Sequence, residues 1–188
     1  MARSKTFDVD AALDAATNVF RQYGFEGTSA QMIVDAMGIG RQSLYDTFGD
    51  KWQLYLTVVR RYAVSESSAH RAALGQGERA VDGIRAMLHR VVREAYTPCL
   101  GVSSIAEFGC SRPELTAVNA AAERELRAVM IESIRKAQSE GDIAEGLDPD
   151  QLVTFLIASI SGIRLAARGG AQPNDLANLG EMALRIVR

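Results

Sequence analysis

Three consecutive residues, Arg41, Gln42 and Ser43, carry side chains suited to reading another molecule. Arginine and glutamine each present two polar atoms in one plane, which can make bidentate contacts to base edges of duplex DNA. A serine hydroxyl can donate or accept there. Tyr45, Thr47 and Lys51 follow at spacings that let them reach phosphates. Backbone N–H groups at the start of a short helix bind phosphate too. Thr28, Ser29 and Gly40 stand where such helices would begin. Candidates for catalysis are thinner. Cys99 and Cys110 form neither a CxxC pair nor a disulfide framework. His70 and His89 have no metal-ligand spacing. No GxSxG, HExxH or Gly-rich phosphate loop is present. An enzyme is therefore disfavoured, and no metal or cofactor is implied. Cys99 follows Thr97-Pro98 at a helix boundary and is the redox candidate, because a thiol near a helix start can meet oxidants or electrophiles. The competing reading is a small, inert apolar residue.

The elements that must position these groups read as helices throughout. Val9, Ala12, Leu13, Ala16, Phe20 and Tyr23 recur at helical spacing, and Gly24 ends that helix. Thr28-Ser29 caps a second helix that stops at Gly38. Gly40 or Arg41 starts a third, which ends at Gly49. Asp50 caps a long helix to about Ala73. Further helices are expected at about Arg79–Tyr96, Ser103–Gly109, from Pro113 through Ile134, from Pro149 to about Ala167 and from Asn174 to Val187. No strand alternation of useful length occurs. The Met37-Gly38-Ile39-Gly40 turn makes the second and third helices a compact helix-turn-helix, with Ile33, Met37, Ile39 and Leu44 inward.

Bulk composition fits a packed globular chain: 188 residues, 47% hydrophobic, 23% charged, with a formal charge of −2. Charge gives no hint of nucleic acid. From residue 1 to 61, seven Lys/Arg (Arg3, Lys5, Arg21, Arg41, Lys51, Arg60, Arg61) meet seven Asp/Glu (Asp8, Asp10, Asp14, Glu26, Asp35, Asp46, Asp50). Leu152–Ile163 is too short and too polar for a membrane span, and Met1–Val9 lacks a signal-peptide core, so a cytoplasmic protein with no membrane partner is expected. On the residues alone, three readings without DNA stay open. They are a helix pair that merely packs, a small-molecule-binding protein or enzyme on a helical scaffold, and a structural dimerisation module.

Ala15-Ala16, Phe20, Gly24-Phe25, Thr28-Ser29, Ile33, Gly38-Ile39, Leu44-Tyr45, Phe48, Lys51 and Leu54 settle the preference. Together, from Leu13 to Tyr55, they resemble the DNA-binding domain of the TetR family of transcriptional regulators. Three positions depart from the family's habit. Gly40 replaces a frequent Ser or Thr cap, Thr47 a frequent phosphate-touching His, and Val34 a usual Ala. The resemblance implies an all-α homodimer with a helix-turn-helix DNA-binding domain at residues 1–49. Residues 50–188 would form an effector-binding and dimerisation domain. The function implied is a repressor released from a pseudo-palindromic operator by a small-molecule effector. Thr28, Ser29, Gly40, Arg41, Gln42, Ser43, Tyr45, Thr47 and Lys51 are the expected DNA contacts, with Arg3 and Lys5 from an N-terminal arm.

Expectations for the rest are physical. Leu152, Val153, Phe155, Leu156, Ile157, Ile160 and Ile163 cover more than one helix face, so that helix needs a partner besides its own domain. Ala158, Gly162 and Ala166 recur every four residues and allow a close crossing. With Leu176, Leu179, Ala183 and Ile186 they are the expected dimer face. Candidate effector contacts are Tyr62, Met87, Val91, Tyr96, Phe108, Met130, Ile134 and Phe155, with His89, Arg90, Glu94 and Glu107 as possible orienting groups.

Overall fold

A computed structural model describes residues 7–186. The Arg3 and Lys5 arm and Val187 lie outside the described residues. Nine helices and no strand occur among those described: α1 Val9–Tyr23, α2 Ala30–Met37, α3 Arg41–Phe48, α4 Lys51–Leu74, α5 Ala80–Arg93, α6 Leu100–Phe108, α7 Pro113–Ser139, α8 Pro149–Arg168 and α9 Pro173–Arg185.

Local chemistry sets most boundaries. Asp8, Ser29, Asp50 and Asp148 accept backbone N–H groups of the helices they precede. Pro113, Pro149 and Pro173 occupy first-turn positions, where a missing N–H costs nothing. Gly38 sits at φ 65°, ψ 28°, a left-handed conformation that reverses the chain between α2 and α3. Two boundaries move from expectation. α5 stops at Arg93, because Ala95 N–H turns back to the Val92 carbonyl and Thr97 N–H to the Glu94 carbonyl. α6 starts at Leu100 rather than Ser103, with Ser103 N–H already bonded to the Cys99 carbonyl at 2.9 Å.

Two apolar clusters hold the chain. The first joins α1–α3 to the first half of α4 through Ala16, Phe20, Ile33, Leu44, Leu54 and Tyr55, with Leu100 and Leu115 closing it. The second lies among α5, α7, α8 and α9 around Met87, Leu88, Ile134, Val153 and Leu156. α4 belongs to both, since Ala73 near its end packs in the second. Gly83 lets α5 meet the end of α4, where a Cβ would stand 2.0 Å from the Leu74 carbonyl oxygen. The sequence reading of a membrane-incompetent segment needs correction in its geometry. α8 runs 20 residues and contains an 18-residue window of mean hydropathy 1.3, long and apolar enough to cross a membrane by those measures. Its inward side instead closes the second cluster, and a buried arginine, Arg164, lies within it.

Candidate functional site

The third helix stands out at the surface. Arg41, Gln42, Tyr45, Asp46 and Thr47 are exposed, Ser43 is half-buried, and only Leu44 points fully into the core. Gly40 precedes α3 without any side-chain cap, so the first-turn amides remain open to an anion. Arg41 makes no ion pair among the described residues. Gln42 donates to Asp46 Oδ1 at 2.8 Å, one turn along α3, so its amide is held in place before any contact. Ser29 Oγ accepts from Met32 N at 3.2 Å at the mouth of α2.

Two expected DNA contacts already have partners within the chain. Thr28 is buried at 1% exposure, and its hydroxyl donates to the Gly24 carbonyl, tying the α1–α2 turn. A threonine before a helix caps it or braces the preceding turn, and the sequence does not distinguish the two. Lys51 Nζ lies 4.2 Å from the Phe25 ring centroid, against an aromatic cluster of Phe25, Trp52, Tyr55 and Phe108.

That cluster joins the head to α6. Glu107 accepts from Phe25 N at 3.0 Å and Glu26 N at 2.8 Å, and Arg21 Nε donates to the Pro98 carbonyl at 2.7 Å. Burial, with the Glu107 carboxylate adding, pushes the Tyr55 phenol pKa up. Arg61 pairs with Asp10 at 2.6 Å and Asp14 at 3.2 Å, fastening α4 to α1.

A cavity of about 170 Å³ lies between α4, α6, α7 and α8. Of the eight expected effector contacts, only Tyr62 lines it. Met87, Val91, Met130 and Ile134 are fully buried and fill the second core. Phe108 belongs to the aromatic cluster. Tyr96 donates its hydroxyl to the Ala171 carbonyl at 2.8 Å and borders an outer groove instead. Phe155 stands on the outer face of α8. Helical periodicity identifies buried faces; it does not say where neighbouring faces fail to meet. Cys99 is half-buried and borders both the cavity and the outer groove.

At the polar end of the cavity, sequence reasoning named Arg90 and Glu94 but missed Glu66, His70 and Arg164. Glu66 Oε1 accepts from Arg164 Nη2 at 3.0 Å, and Glu66 Oε2 from Arg90 Nη2 at 2.9 Å. His70 Nε2 lies 3.4 Å from Glu66 Oε1, and His70 Nδ1 lies 3.4 Å from Arg90 Nη1. Burial acts to raise the Glu66 pKa, yet hydrogen bonds from His70 and Arg90 hold it down to about 2. Arg164 also donates to the Glu94 and Thr97 carbonyls at 3.0 and 3.3 Å, receiving the chain where it leaves α5. An arginine inside an apolar helix, with Glu66 and His70 one turn apart, was the available signal. Arg90 and Glu94 proved paired with each other at 3.1 Å, and His89 stands at the surface near Glu181.

The expected dimer face splits. Leu176 and Ala183 are buried within the protomer, because that side of α9 packs on α5; a Cβ on Gly180 would lie 2.7 Å from Val92 Cγ2. Ala166 packs partly against the second cluster. Ala158 and Gly162 are exposed on α8, beside Phe155 and Leu165. Leu179 and Ile186 are exposed on α9, beside Met182. The bare apolar surface is therefore Phe155, Leu165, Leu179, Met182 and Ile186 with the small residues between them.

A short helix pair with an open, polar second helix, set on a larger helical body, defines a helix-turn-helix regulator. Residues 12–58 match the family described as bacterial regulatory proteins, tetR family, and residues 78–179 match the tetracyclin repressor-like C-terminal domain. The chain belongs to the TetR family of DNA-binding transcriptional regulators. It is 28% identical to the uncharacterized HTH-type transcriptional regulator YezE of Bacillus subtilis, each chain covered in full. It is 29% identical to the HTH-type transcriptional repressor ComR of Escherichia coli, over 98% of this chain and 90% of that one. Among solved structures, a cysteine-substituted TetR family regulator CifR complexed with 26bp double-strand operator DNA superposes with a TM-score of 0.80 at 29% identity, both chains covered in full.

Proposed function

We propose that the protein is a homodimeric, cytoplasmic repressor that leaves a pseudo-palindromic operator when a small molecule enters the α4–α8 cavity. Residues 1–49 bind DNA in this reading, and residues 50–188 carry the effector site and the dimer face. The observation that carries it is the exposed row Arg41, Gln42, Tyr45 and Thr47, with half-buried Ser43 between them, beside an uncapped helix start. Arg41 and Gln42 read base edges, while Ser29, Tyr45, Thr47 and the first-turn amides of α3 hold phosphates. The bare α8–α9 surface pairs with its copy in a four-helix interface, setting two α3 helices about 34–36 Å apart. Binding of operator DNA by the related CifR supports the DNA partner.

Release follows from the residues shared between cavity and head. Arg21 of α1 lies over the Tyr62 ring at 5.3 Å, and Tyr62 lines the cavity. α6 supplies cavity wall at Gly101, Val102 and Ile105 and grips the α1–α2 turn through Glu107. An effector that favours a shifted α6 and Tyr62 favours a head spacing that no longer fits one turn of DNA. The test is Gln42→Ala against an operator selected from random duplexes. Specific binding should fall by about 1–3 kcal/mol per half-site, with nonspecific binding nearly unchanged. Equal loss of both would remove the base-reading role.

A further inference from the structure

Away from Glu123 at its exposed rim, the α4–α8 cavity offers a ligand no unpaired charge. Glu66 accepts from Arg90 and Arg164 at 2.9 and 3.0 Å, and Arg90 also meets Glu94 at 3.1 Å. Two guanidiniums therefore face two carboxylates, and His70 lies 3.4 Å from both Glu66 and Arg90. Asn119 donates to Ser104 Oγ at 3.1 Å. The Tyr62 hydroxyl and Arg164 Nε have no partner, but neither atom has accessible surface, so neither can meet a ligand. What stays open on the polar side of the wall is a pair of neutral hydroxyls, Ser67 on α4 and Ser161 on α8.

The rest of the wall is mostly apolar, from Val59, Ile105, Leu126, Ile157 and Ile160. A charged ligand entering here would give up its water and find every buried counter-charge already engaged. To gain a partner it would have to break the Glu66 cluster, and that leaves another buried ion unpaired. An uncharged apolar molecule meets neither cost. Size sets a second limit, since about 170 Å³ is close to the roughly 150 Å³ that holds one benzene-sized molecule. Ala63, Ser67 and Ala122 line both this cavity and an outer α4–α7 groove, so only small side chains stand between a compact ligand and solvent.

We infer that the cavity selects a compact, uncharged, apolar molecule the size of a single six-membered ring, and that the completed Glu66–Arg90–Arg164 pairing is what turns ions away. The inference rests on the effector-release reading for its biological consequence. Ser161 places one of the few short side chains on the α8 wall beside Ile157 and Ile160, so bulk added there takes up ligand space.

Four probes separate the possibilities in calorimetry on the full chain: toluene, benzoate, benzylammonium and biphenyl. Toluene should bind at least about tenfold more tightly than either ion of similar size, because the ions bring a charge that stays unmatched. Biphenyl should bind no more tightly than toluene, although its larger apolar surface would favour it in an open groove. Ser161→Leu should weaken toluene about tenfold or more while helicity stays native; should that variant fail to fold, the probe series on the unaltered chain decides alone. Equal or tighter binding of benzoate or benzylammonium, tighter binding of biphenyl, no binding of any probe, or toluene affinity indifferent to Ser161→Leu in a folded variant would each overturn the inference. Selective toluene binding that leaves operator affinity unmoved would uphold the ligand class and remove the effector-release reading instead.

Discussion

Leu165 offers the clearest single perturbation of the proposed dimer. It is 58% exposed in the protomer, on the outer face of α8, with Met182 of α9 at 57%. Full burial of a leucine is worth about 1.5–3 kcal/mol, so covering the exposed share gains about 1–2 kcal/mol. In a twofold interface every substitution occurs twice, giving about 2–4 kcal/mol per dimer for Leu165→Ala. Leu165→Glu adds the cost of taking two carboxylates out of water without partners, so the dimer should weaken by at least about 4 kcal/mol, or a thousandfold. Sedimentation across concentration reads the shift directly. The protomer should keep its helicity, since the side chain packs against little of its own chain. Operator affinity should collapse with the dimer, because a lone head loses its second half-site. A Leu165→Glu protein that stays dimeric at nanomolar concentration would refute the assignment of this face.

Three further outcomes follow from other sites. Glu66 is ordinarily a carboxyl of pKa 4.5 and is held at about 2, so its stabilising contribution is complete above about pH 4.5 and is lost as pH falls towards 2. Chemical denaturation at pH 5 and pH 2 should show about 3 kcal/mol more acid loss in the native protein than in Glu66→Gln; equal losses would show that the ion cluster does not act this way. Glu107→Ala removes two bonds to the α1–α2 turn at an exposed site. It should cost about 1–2 kcal/mol in urea unfolding and alter emission from Trp52, the one tryptophan of the chain; an unchanged midpoint would show that the clamp is idle. With Lys51 drawn over Phe25, the cations left for DNA are Arg41 and the expected Arg3 and Lys5 arm, three per half-site, so log affinity for operator should fall with log salt at a slope of roughly −5 per dimer. A slope near −10 would contradict the contact set.

Local signals carried far in this chain. Asp8, Ser29, Asp50 and Asp148 act within three residues of themselves, and Gly24, Gly38 and Gly49 adopt positive φ where the helices stop. Such interactions are written in short stretches of sequence, which is why helix order, the helix-turn-helix and the outward Arg41-Gln42 pair were legible. The α5 end and α6 start were not, because both depend on the turn around Pro98 and on Arg164 from α8.

The amino-acid sequence by itself determined an all-helical chain, its caps and the outward polar row of α3, since those follow from periodicity and from bonds between near neighbours. Only the tertiary structure decided which apolar stripes were already covered. Leu176 and Leu179 are three residues apart on one helix, yet one is buried on α5 and the other bare. It alone also placed the cavity and its polar end, where Glu66 and Arg164 meet across 98 residues of chain. A void and a long-range ion pair arise from how helices cross, and no window of neighbouring residues encodes a crossing.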